Sequence, residues 1–488
     1  MGGDREARRR LTKEDPEGDS DQDDGLDSEE EESNEKMKNL KELIALKAKT
    51  KELEKALKAK GKGKDVESGG SDSDSDDSKG GDGTGDWVHS TKDILLTSKL
   101  NILLVLIPFA MLGKAAGWSD GWLFTLSLLP ICPLAERLGY VTEQMAEYTN
   151  PTLGGLLNAT FGNLTEIIVS VFALKAGKLR VVQLSLLGSI LSNMLLVLGC
   201  AFFAGGMLHK KQTFNQTGVS MNSALLLLAV ISLSAPSVLH TTHTELHGTA
   251  SEIALSRFTS CLLLGVYVAF LYFQLITHIH LFEDEDDDDD DGEEVAQTFW
   301  QSIAWLGIMT IFISLLSDYL VDAIEGAASG AGIPVAFIST IILPIVGNAA
   351  EHASAVMFAM KNKMDISLGV AIGSSTQIAL LVIPFTIVMG WFVGQPLDLN
   401  LHVFETSTFV MTVITVAFIV QDGESNWLKG LTLLMAYCIL SASFFFHRDL
   451  PVSETLKLVD ASKLVDASQI AKVAPAVAAV VPAVGPPP

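Results

Sequence analysis

The stretch that decides the fold is "ATFGNLTEIIVSVFA", residues 159–173, which places polar groups inside an otherwise apolar segment. Gly162, Asn163, Thr165 and Glu166 occur together in a run that, with its neighbours, is long enough to cross a bilayer. A lipid-facing segment avoids both loosened backbone and charge, because neither finds a partner in hydrocarbon. The stretch therefore indicates a helix that is broken inside the protein or beside a water-filled cavity.

The same pattern occurs a second time. "GNLTE" at 162–166 corresponds to "GNAAE" at 347–351, and the glutamate that ends each motif precedes the glycine of a Gly-Ser pair, at 188–189 and at 373–374, by the same 22 positions. The two halves of the apolar region are therefore predicted to be copies of one structural design.

Runs of roughly 17 to 25 mostly apolar residues recur along the chain, the length that a membrane-spanning helix needs. We predict about eleven spans, near 95–116, 121–147, 152–175, 181–205, 221–239, 255–278, 298–322, 333–360, 365–391, 402–420 and 428–446. Five spans per half, after the first is set aside, would insert the second copy upside down, which is a transporter design. The predicted fold is an all-α polytopic membrane protein with one N-terminal helix and two inverted five-helix repeats.

The chain divides by composition into six predicted regions. They are an acidic, disordered N-terminal tail with a short charged helix (1–90), the first transmembrane helix (91–120), the first repeat (121–282), an acidic linker (283–297), the second repeat (298–446) and a low-complexity tail (447–488). The charged helix is either a solvated helix or a short coiled coil that binds a regulatory partner. The N-terminal tail is predicted to be cytosolic.

The charge and the cysteines exclude several classes of function. The net charge of −24 makes nucleic acid an improbable partner. The four cysteines lie in predicted spans without CxxC spacing, so neither a zinc site nor a disulfide framework is indicated. No enzymatic activity and no cofactor are predicted.

Glu166 and Glu351 are the candidate functional residues. A carboxylate near the bilayer centre costs several kcal/mol unless it is paired or hydrated, and the nearest basic residues in sequence lie more than two helical turns away. The groups around the glutamates carry oxygen, which suits a hard cation such as Ca²⁺. The predicted metal ligands are Glu166, Glu351, Asn163, Asn348, Ser189, Ser374 and Gln377. The alternative is a pair of protonated acids, with the amides and hydroxyls serving in helix packing.

Two carboxylates that accept either one divalent cation or protons bind the two in a mutually exclusive way. A carrier that changes conformation only when these groups are neutralised would exchange cation for proton. This reasoning does not fix the number of protons and leaves sodium open.

Three further features have both a structural and a functional interpretation. His352 is either a packing residue or a proton relay, and Glu143 and Glu325 line access routes or reach the membrane interface. The acidic run "EDEDDDDDDGEE" at 283–294 is a flexible linker or a weak cation buffer, and begins with Glu283, Asp284, Glu285, Asp286 and Asp287.

The sequence resembles the calcium/proton exchanger (CAX) family of the calcium/cation antiporter superfamily. The resemblance lies in two regions that contain "NATFGNLTEIIVSVFALKAGKLRVVQLSLLGSILSN" and "ILPIVGNAAEHASAVMFAMKNKMDISLGVAIGSSTQIALLVIPF", and in the acidic linker. It covers roughly residues 95–446. It implies a vacuolar or similar acidic-organelle antiporter of Ca²⁺, and often Mn²⁺, against H⁺, with Glu166 and Glu351 as the central carriers and Glu143 and Glu325 on gating helices.

Three other functions compete with a proton-coupled antiporter. A sodium-coupled exchanger would require Na⁺ for Ca²⁺ flux. A passive channel would show flux that neither saturates nor follows pH. A membrane-anchored Ca²⁺ buffer or scaffold would use only the acidic segments, and it leaves the glutamates within the spans unexplained.

Overall fold

The computed structural model describes residues 98–241, 249–279 and 297–447, together with Trp87, 90–92 and 94–95. The predictions for the charged N-terminal helix, for the acidic run at 283–294 and for the tail after 447 lie outside the described residues. The boundaries of the six regions remain predictions.

The described part of the chain is almost entirely helical, as predicted. The helices of the first half are α1 (Lys99–Ala116), α2 (Asp120–Ala146), α3 (Pro151–Phe161), α4 (Leu164–Lys175), α5 (Leu179–Leu208), α6 (Gln216–Thr241) and α7 (Ser251–Thr277). Those of the second half are α8 (Phe299–Ala331), α9 (Val335–Gly347), α10 (Ala349–Met360), α11 (Met364–Val393), α12 (Val403–Val420) and α13 (Trp427–Phe446). Two-residue strands, β1 (Gln212–Thr213) and β2 (Glu424–Ser425), pair antiparallel.

The all-α polytopic membrane fold is confirmed, but the number of eleven spans is not. Among the described residues eight helices are long and apolar enough to cross a membrane, and the bent pairs α3/α4 and α9/α10 raise the number to ten. The remaining predicted span corresponds to α2, which has 27 residues but carries Glu136, Arg137 and Glu143. These three residues line a cavity, so α2 is polar on a face that is turned away from lipid.

The order of helices repeats. Each half has a long helix (α2 or α8), a bent pair, a helix with a π turn (α5 or α11) and two further helices. The halves interlock, because α2 packs on α9 and α10 of the second half while α8 packs on α4 of the first. Both bent pairs are therefore held between helices of the two halves.

The bend in each pair lies at an asparagine. Asn163 has φ −108° and ψ 17°, and Asn348 has φ −107° and ψ 16°, outside the helical range. The α3/α4 pair bends by 43° and the α9/α10 pair by 58°. Asparagine tolerates such a break because its side chain competes for local backbone hydrogen bonds. The two motifs thus adopt the same backbone geometry, and in each a new helix starts two residues before the glutamate.

π turns flank these breaks. They lie at Ser192–Val197 in α5, at Ile338–Ile342 in α9, and at Gly369–Gly373 and Ile378–Val382 in α11. A π turn inserts one additional residue into a helix and is frequent at functional sites. The insertions change the direction in which the side chains after Ser189 and around Ser374 point.

The short strands join loops at one end of the bundle. Gln212 of β1 donates from Nε2 to the Ala359 carbonyl at 2.8 Å and to Asn362 Oδ1 at 3.0 Å, which connects the α5–α6 and α10–α11 loops. In the α12–α13 loop the Lys429 ammonium donates to both carboxylate oxygens of Asp422, and this hydrogen bond holds the pKa of Asp422 below its ordinary value. These contacts order the loops on the face where the cavity opens.

Candidate ion-binding site

A cavity of about 930 Å³ lies between the two halves. Glu166 and Glu351 line its inner end, and Asn215, Asp365 and Leu275 lie at the helix ends on one face of the bundle. On that face lie the loops α2–α3, α5–α6 and α10–α11 and the end of α7. The cavity therefore leads from one face of the protein to both sequence motifs.

The two glutamates occupy equivalent positions. Glu166 is the third residue of α4 and Glu351 the third residue of α10, and both side chains are half-buried. Their carboxyl groups are close enough to interact electrostatically. The first turn of a helix has unpaired N–H groups and a positive dipole end, which stabilise negative charge. The broken helices thus place two carboxylates where they can both be ionised when a cation lies between them.

The first asparagine is oriented by a hydrogen bond across the interface of the halves. Asn163 donates from Nδ2 to Gln377 Oε1 at 2.6 Å. Among the described residues its buried Oδ1 has no hydrogen-bond partner, and the same is true of Glu351 Oε2. Buried acceptors without donors are costly, and a cation or a proton relieves that cost. Both residues line the large cavity, so a cation that enters it could be bound by these two oxygens.

The second asparagine lies beside the other glutamate. Asn348 contacts the Glu166 carboxyl group, whereas within the described part of the chain its Nδ2 makes no hydrogen bond. The two amides thus have different partners, although their backbones match. Because O and N of an amide exchange by a simple rotation of the group, Asn348 can also present its oxygen.

The serines of the two Gly-Ser pairs are placed differently. Ser374 lines the large cavity and accepts a hydrogen bond from Asn193 Nδ2 at 3.3 Å. Ser189 is buried and lines a separate cavity of about 30 Å³, together with Glu166 and Asn348. This volume suits about one water molecule. Glu166 therefore lies between the large cavity and a small, mostly apolar space behind it.

Of the remaining predicted residues, Glu143 lines the cavity, and His352 and Glu325 do not. His352 faces Ser192, with Nε2 3.5 Å from Oγ. Glu325 has 62% of its side chain exposed and lies 3.5 Å from Lys178 Nζ, at the opposite end of the bundle. Glu143 and Glu325 thus lie near opposite ends of the bundle, and of the two only Glu143 reaches the open cavity.

Sequence reasoning missed several polar residues of the cavity wall. They are Glu136, Asn158, Asn215, Asn222, Ser354 and Asp365. Asn158 and Ser354 lie one helical turn from Gly162 and Glu351, so helical periodicity could have indicated them. Asn215 and Asp365 are 150 positions apart, and the backbone N–H of Asn215 donates to Asp365 Oδ1 at 2.6 Å. No local pattern signals that contact.

The two Gly-Ser glycines show which face is closed. A Cβ atom at Gly188 would overlap the backbone of Thr340, so α5 and α9 are in direct contact there. A Cβ atom at Gly373, the corresponding residue in α11, would meet no atom within 4 Å among the described residues. The repeats therefore have the same local geometry but different packing, closed at Gly188 and open at Gly373.

Comparison with known proteins identifies the family. The sequence model of the sodium/calcium exchanger protein family matches residues 120–276 and 301–446, which together make up more than half of the chain. The chain belongs to this family. Its resemblance to the cation/proton exchanger (CAX) members is also confirmed by the relatives described next.

Two curated relatives and one solved structure describe the similarity. Vacuolar cation/proton exchanger 3 of Oryza sativa subsp. japonica is 56% identical over 371 residues, 74% of this chain and 89% of the relative. Vacuolar cation/proton exchanger 2 of Arabidopsis thaliana is 56% identical over 371 residues, 74% of this chain and 84% of the relative. The crystal structure of the Ca²⁺/H⁺ antiporter protein YfkE superposes with a TM-score of 0.60 at 36% identity. The match covers 71% of the chain described here and 98% of the YfkE chain.

The hydrogen bond between Asn163 and Gln377 leads to a prediction. In Gln377→Leu, Asn163 Nδ2 loses its acceptor and the amide is no longer oriented. A lost hydrogen bond that leaves a buried donor costs about 1–3 kcal/mol, so the concentration of Ca²⁺ for half-maximal transport should rise by roughly 5- to 150-fold. The measurement is Ca²⁺ uptake against Ca²⁺ concentration in proteoliposomes.

The matched control is Thr376→Val. The Thr376 hydroxyl is buried in the same turn, but it donates to backbone carbonyls of Ile372 and Asn222. The control should keep the wild-type concentration dependence. If Gln377→Leu keeps it as well, the Asn163 amide needs no orientation by Gln377.

Proposed function

We propose that this protein is a secondary active antiporter that exchanges Ca²⁺, and also Mn²⁺, for H⁺ by alternating access. Its place is the membrane of an acidic organelle such as the vacuole, with the N-terminus in the cytosol. The names of the curated relatives, which are vacuolar cation/proton exchangers, support the ion coupling and the location. The similarity to a Ca²⁺/H⁺ antiporter supports Ca²⁺ as a substrate.

The observation that carries the proposal is the pair of equivalent glutamates at the end of one cavity. Arg137 is the one Lys or Arg side chain among the residues that line this cavity in the described structure. It donates to Glu136 at 2.6 Å and lies over the ring of Tyr140. Glu166 and Glu351 therefore have no basic partner on the cavity wall, and their charge must be neutralised by an ion or by protons.

The possible ligand atoms around the glutamates suit Ca²⁺. The two carboxylates, Asn163 Oδ1, Ser374 Oγ and the Asn348 amide provide oxygen atoms, and none of the residues lining the cavity is a cysteine. Calcium takes about six to eight oxygen ligands in a flexible arrangement. Water from the open cavity completes the shell. Two carboxylates balance the charge of one divalent ion.

Exchange follows from competition for the same oxygens. When the site releases Ca²⁺, two adjacent carboxylates remain in a half-buried place, and their repulsion favours protonation. Both the Ca²⁺-bound and the protonated site are neutral, whereas the empty ionised site is costly to enclose. The conformational change therefore proceeds with Ca²⁺ or with protons, which couples the two fluxes.

In the proposed alternating-access cycle, the structure corresponds to the state in which the site is open to one side of the membrane. With the N-terminus in the cytosol, the cavity opens to the cytosol, since it lies on the face where α1 begins and α7 ends. In this orientation the contact between Gly188 and Thr340 closes the lumenal side. The glutamates would accept cytosolic Ca²⁺ in this state.

The proposal is tested with the purified full-length chain in proteoliposomes that have an acidic interior. We expect Ca²⁺ uptake that saturates, stops when a protonophore collapses the pH gradient, and does not change when Na⁺ is replaced by K⁺. Release of protons from the vesicles, followed with a pH-sensitive dye, should accompany uptake. Mn²⁺ should compete with Ca²⁺.

Each competing function gives a different result. Dependence on a Na⁺ gradient would indicate a sodium-coupled exchanger, and uptake that neither saturates nor follows pH would indicate a channel. Ca²⁺ binding without flux would indicate a buffer. Any of these results would overturn proton-coupled exchange.

A further inference from the structure

A cluster of metal-ligating side chains lies on the face opposite the cavity opening. His402 directly precedes α12, Glu405 is the third residue of α12, and His447 directly follows α13. One ligand atom of each lies within 4.8 Å of the others. The Phe404 ring stacks on the His447 ring at 5.1 Å, which holds this histidine against α12.

A cationic side chain of the protein itself, Arg180, already contacts two of these three residues. Arg180, at the start of α5, donates from Nη1 to Glu405 Oε2 at 2.9 Å, and its Nη2 contacts Glu405 Oε1. The same Nη2 lies 3.1 Å from His402 Nδ1. A guanidinium has donors and no acceptor, so Nδ1 of His402 accepts this hydrogen bond. Two of the three possible metal ligands thus already bind a positive group.

Glu405 requires a cation in this place. Its side chain is 0% exposed, and a buried carboxylate without a partner is strongly unfavourable. Arg180 is 29% exposed, so its guanidinium can move towards solvent. Arg180 can therefore be replaced at this position only by another cation that binds the same carboxylate and imidazole atoms.

We propose that His402, Glu405 and His447 form a regulatory site for a divalent transition metal of the Zn²⁺ type, which binds in competition with Arg180. Two imidazole nitrogens and one carboxylate are a common ligand set for Zn²⁺, with metal–ligand bonds of about 2.0–2.2 Å. Calcium prefers oxygen ligands, so these two imidazoles and one carboxylate suit Ca²⁺ poorly. The site is distinct in position and in chemistry from the one at Glu166 and Glu351.

Metal binding would change which helices are joined. Arg180 connects the start of α5 to the start of α12, whereas a metal held by His402, Glu405 and His447 connects α12 to the end of α13. Helix α5 carries Gly188, which contacts α9 on the closed side. Releasing Arg180 therefore removes a restraint from a helix that has to move when this face opens.

The test is Zn²⁺ binding to the purified full-length protein, measured by calorimetry at neutral pH without Ca²⁺. In Arg180→Gln the metal no longer has to displace a charge-assisted pair, so Zn²⁺ should bind about tenfold more tightly or better. Adding His402→Ala or His447→Ala to this variant should remove the gain. His209→Ala is the control, because His209 lies on the opposite face, where it contacts the Met360 carbonyl.

A second variant covers the case in which Arg180→Gln fails to fold. Arg180→Lys keeps a cation but cannot bind both carboxylate oxygens as a fork, so it should show an intermediate gain. Zn²⁺ should also change the rate of Ca²⁺ uptake in the wild type and not in His447→Ala. Equal affinity in wild type and both Arg180 variants would overturn the proposal, as would double variants that keep the gain. Zn²⁺ binding is measured in the absence of transport. The result therefore tests the metal site even if the protein proves not to exchange Ca²⁺ for H⁺.

Discussion

Glu166→Gln and Glu351→Gln should each lower Ca²⁺/H⁺ exchange by two to three orders of magnitude. Glutamine keeps the shape of the side chain but removes the charge that balances Ca²⁺ and the group that carries the proton. Removing one partner from a buried charged set costs about 3–5 kcal/mol, and each 1.4 kcal/mol corresponds to a factor of ten. The measurement is the initial rate of Ca²⁺ uptake under a pH gradient, with proton release followed in parallel.

Glu424→Gln is the matched control for both variants. It is the same substitution within the second half, but Glu424 lies in β2 outside the cavity, where it pairs with Lys211 and 42% of its side chain is exposed. This control should transport at close to the wild-type rate, and all three variants should elute as single species of wild-type size. Normal exchange by either central variant would mean that its glutamate only packs in the protein.

Gly188→Ala should reduce access to the cavity, whereas Gly373→Ala should not. A Cβ atom at residue 188 overlaps the backbone of Thr340, and one at 373 meets no described atom within 4 Å. Overpacking costs about 1–3 kcal/mol, which corresponds to a roughly 5- to 150-fold change in the populations of two conformations. Gly188→Ala should thus disfavour the conformation of the structure, whereas Gly373→Ala should leave it populated.

Access is measured by labelling a cysteine in the cavity wall. In a variant without the native cysteines, Ser354→Cys should react with a membrane-impermeant maleimide from the face where the cavity opens, since Ser354 lines it. Adding Gly188→Ala should slow this reaction, and adding Gly373→Ala should leave it unchanged or make it faster. If Gly188→Ala labels and transports like its parent, the contact with Thr340 does not close that face.

Much of the fold could be predicted because its signals are local. Apolar runs set the helices, since a helix satisfies its own backbone in lipid. The repeated Gly-Asn motifs predicted the broken helices, and Asn163 and Asn348 indeed share their backbone angles. The prediction of eleven spans includes α2, whose polar cavity side keeps its length and composition from confirming that it crosses the membrane, so the number of spans stays a prediction.

Only the central part of the candidate site, the two broken helices with their glutamates, could be predicted from the sequence. The sequence alone determined two broken helices, each with a glutamate in its first turn, because local backbone preferences act over a few residues. The tertiary structure decided that Asn163 binds Gln377, that Ser189 and Ser374 lie in different cavities, and that Arg180 lies between His402 and Glu405. These contacts join residues more than 180 positions apart. They depend on how the two halves pack, which is closed at Gly188 and open at Gly373, and the short motifs that the two halves share cannot encode that difference by themselves.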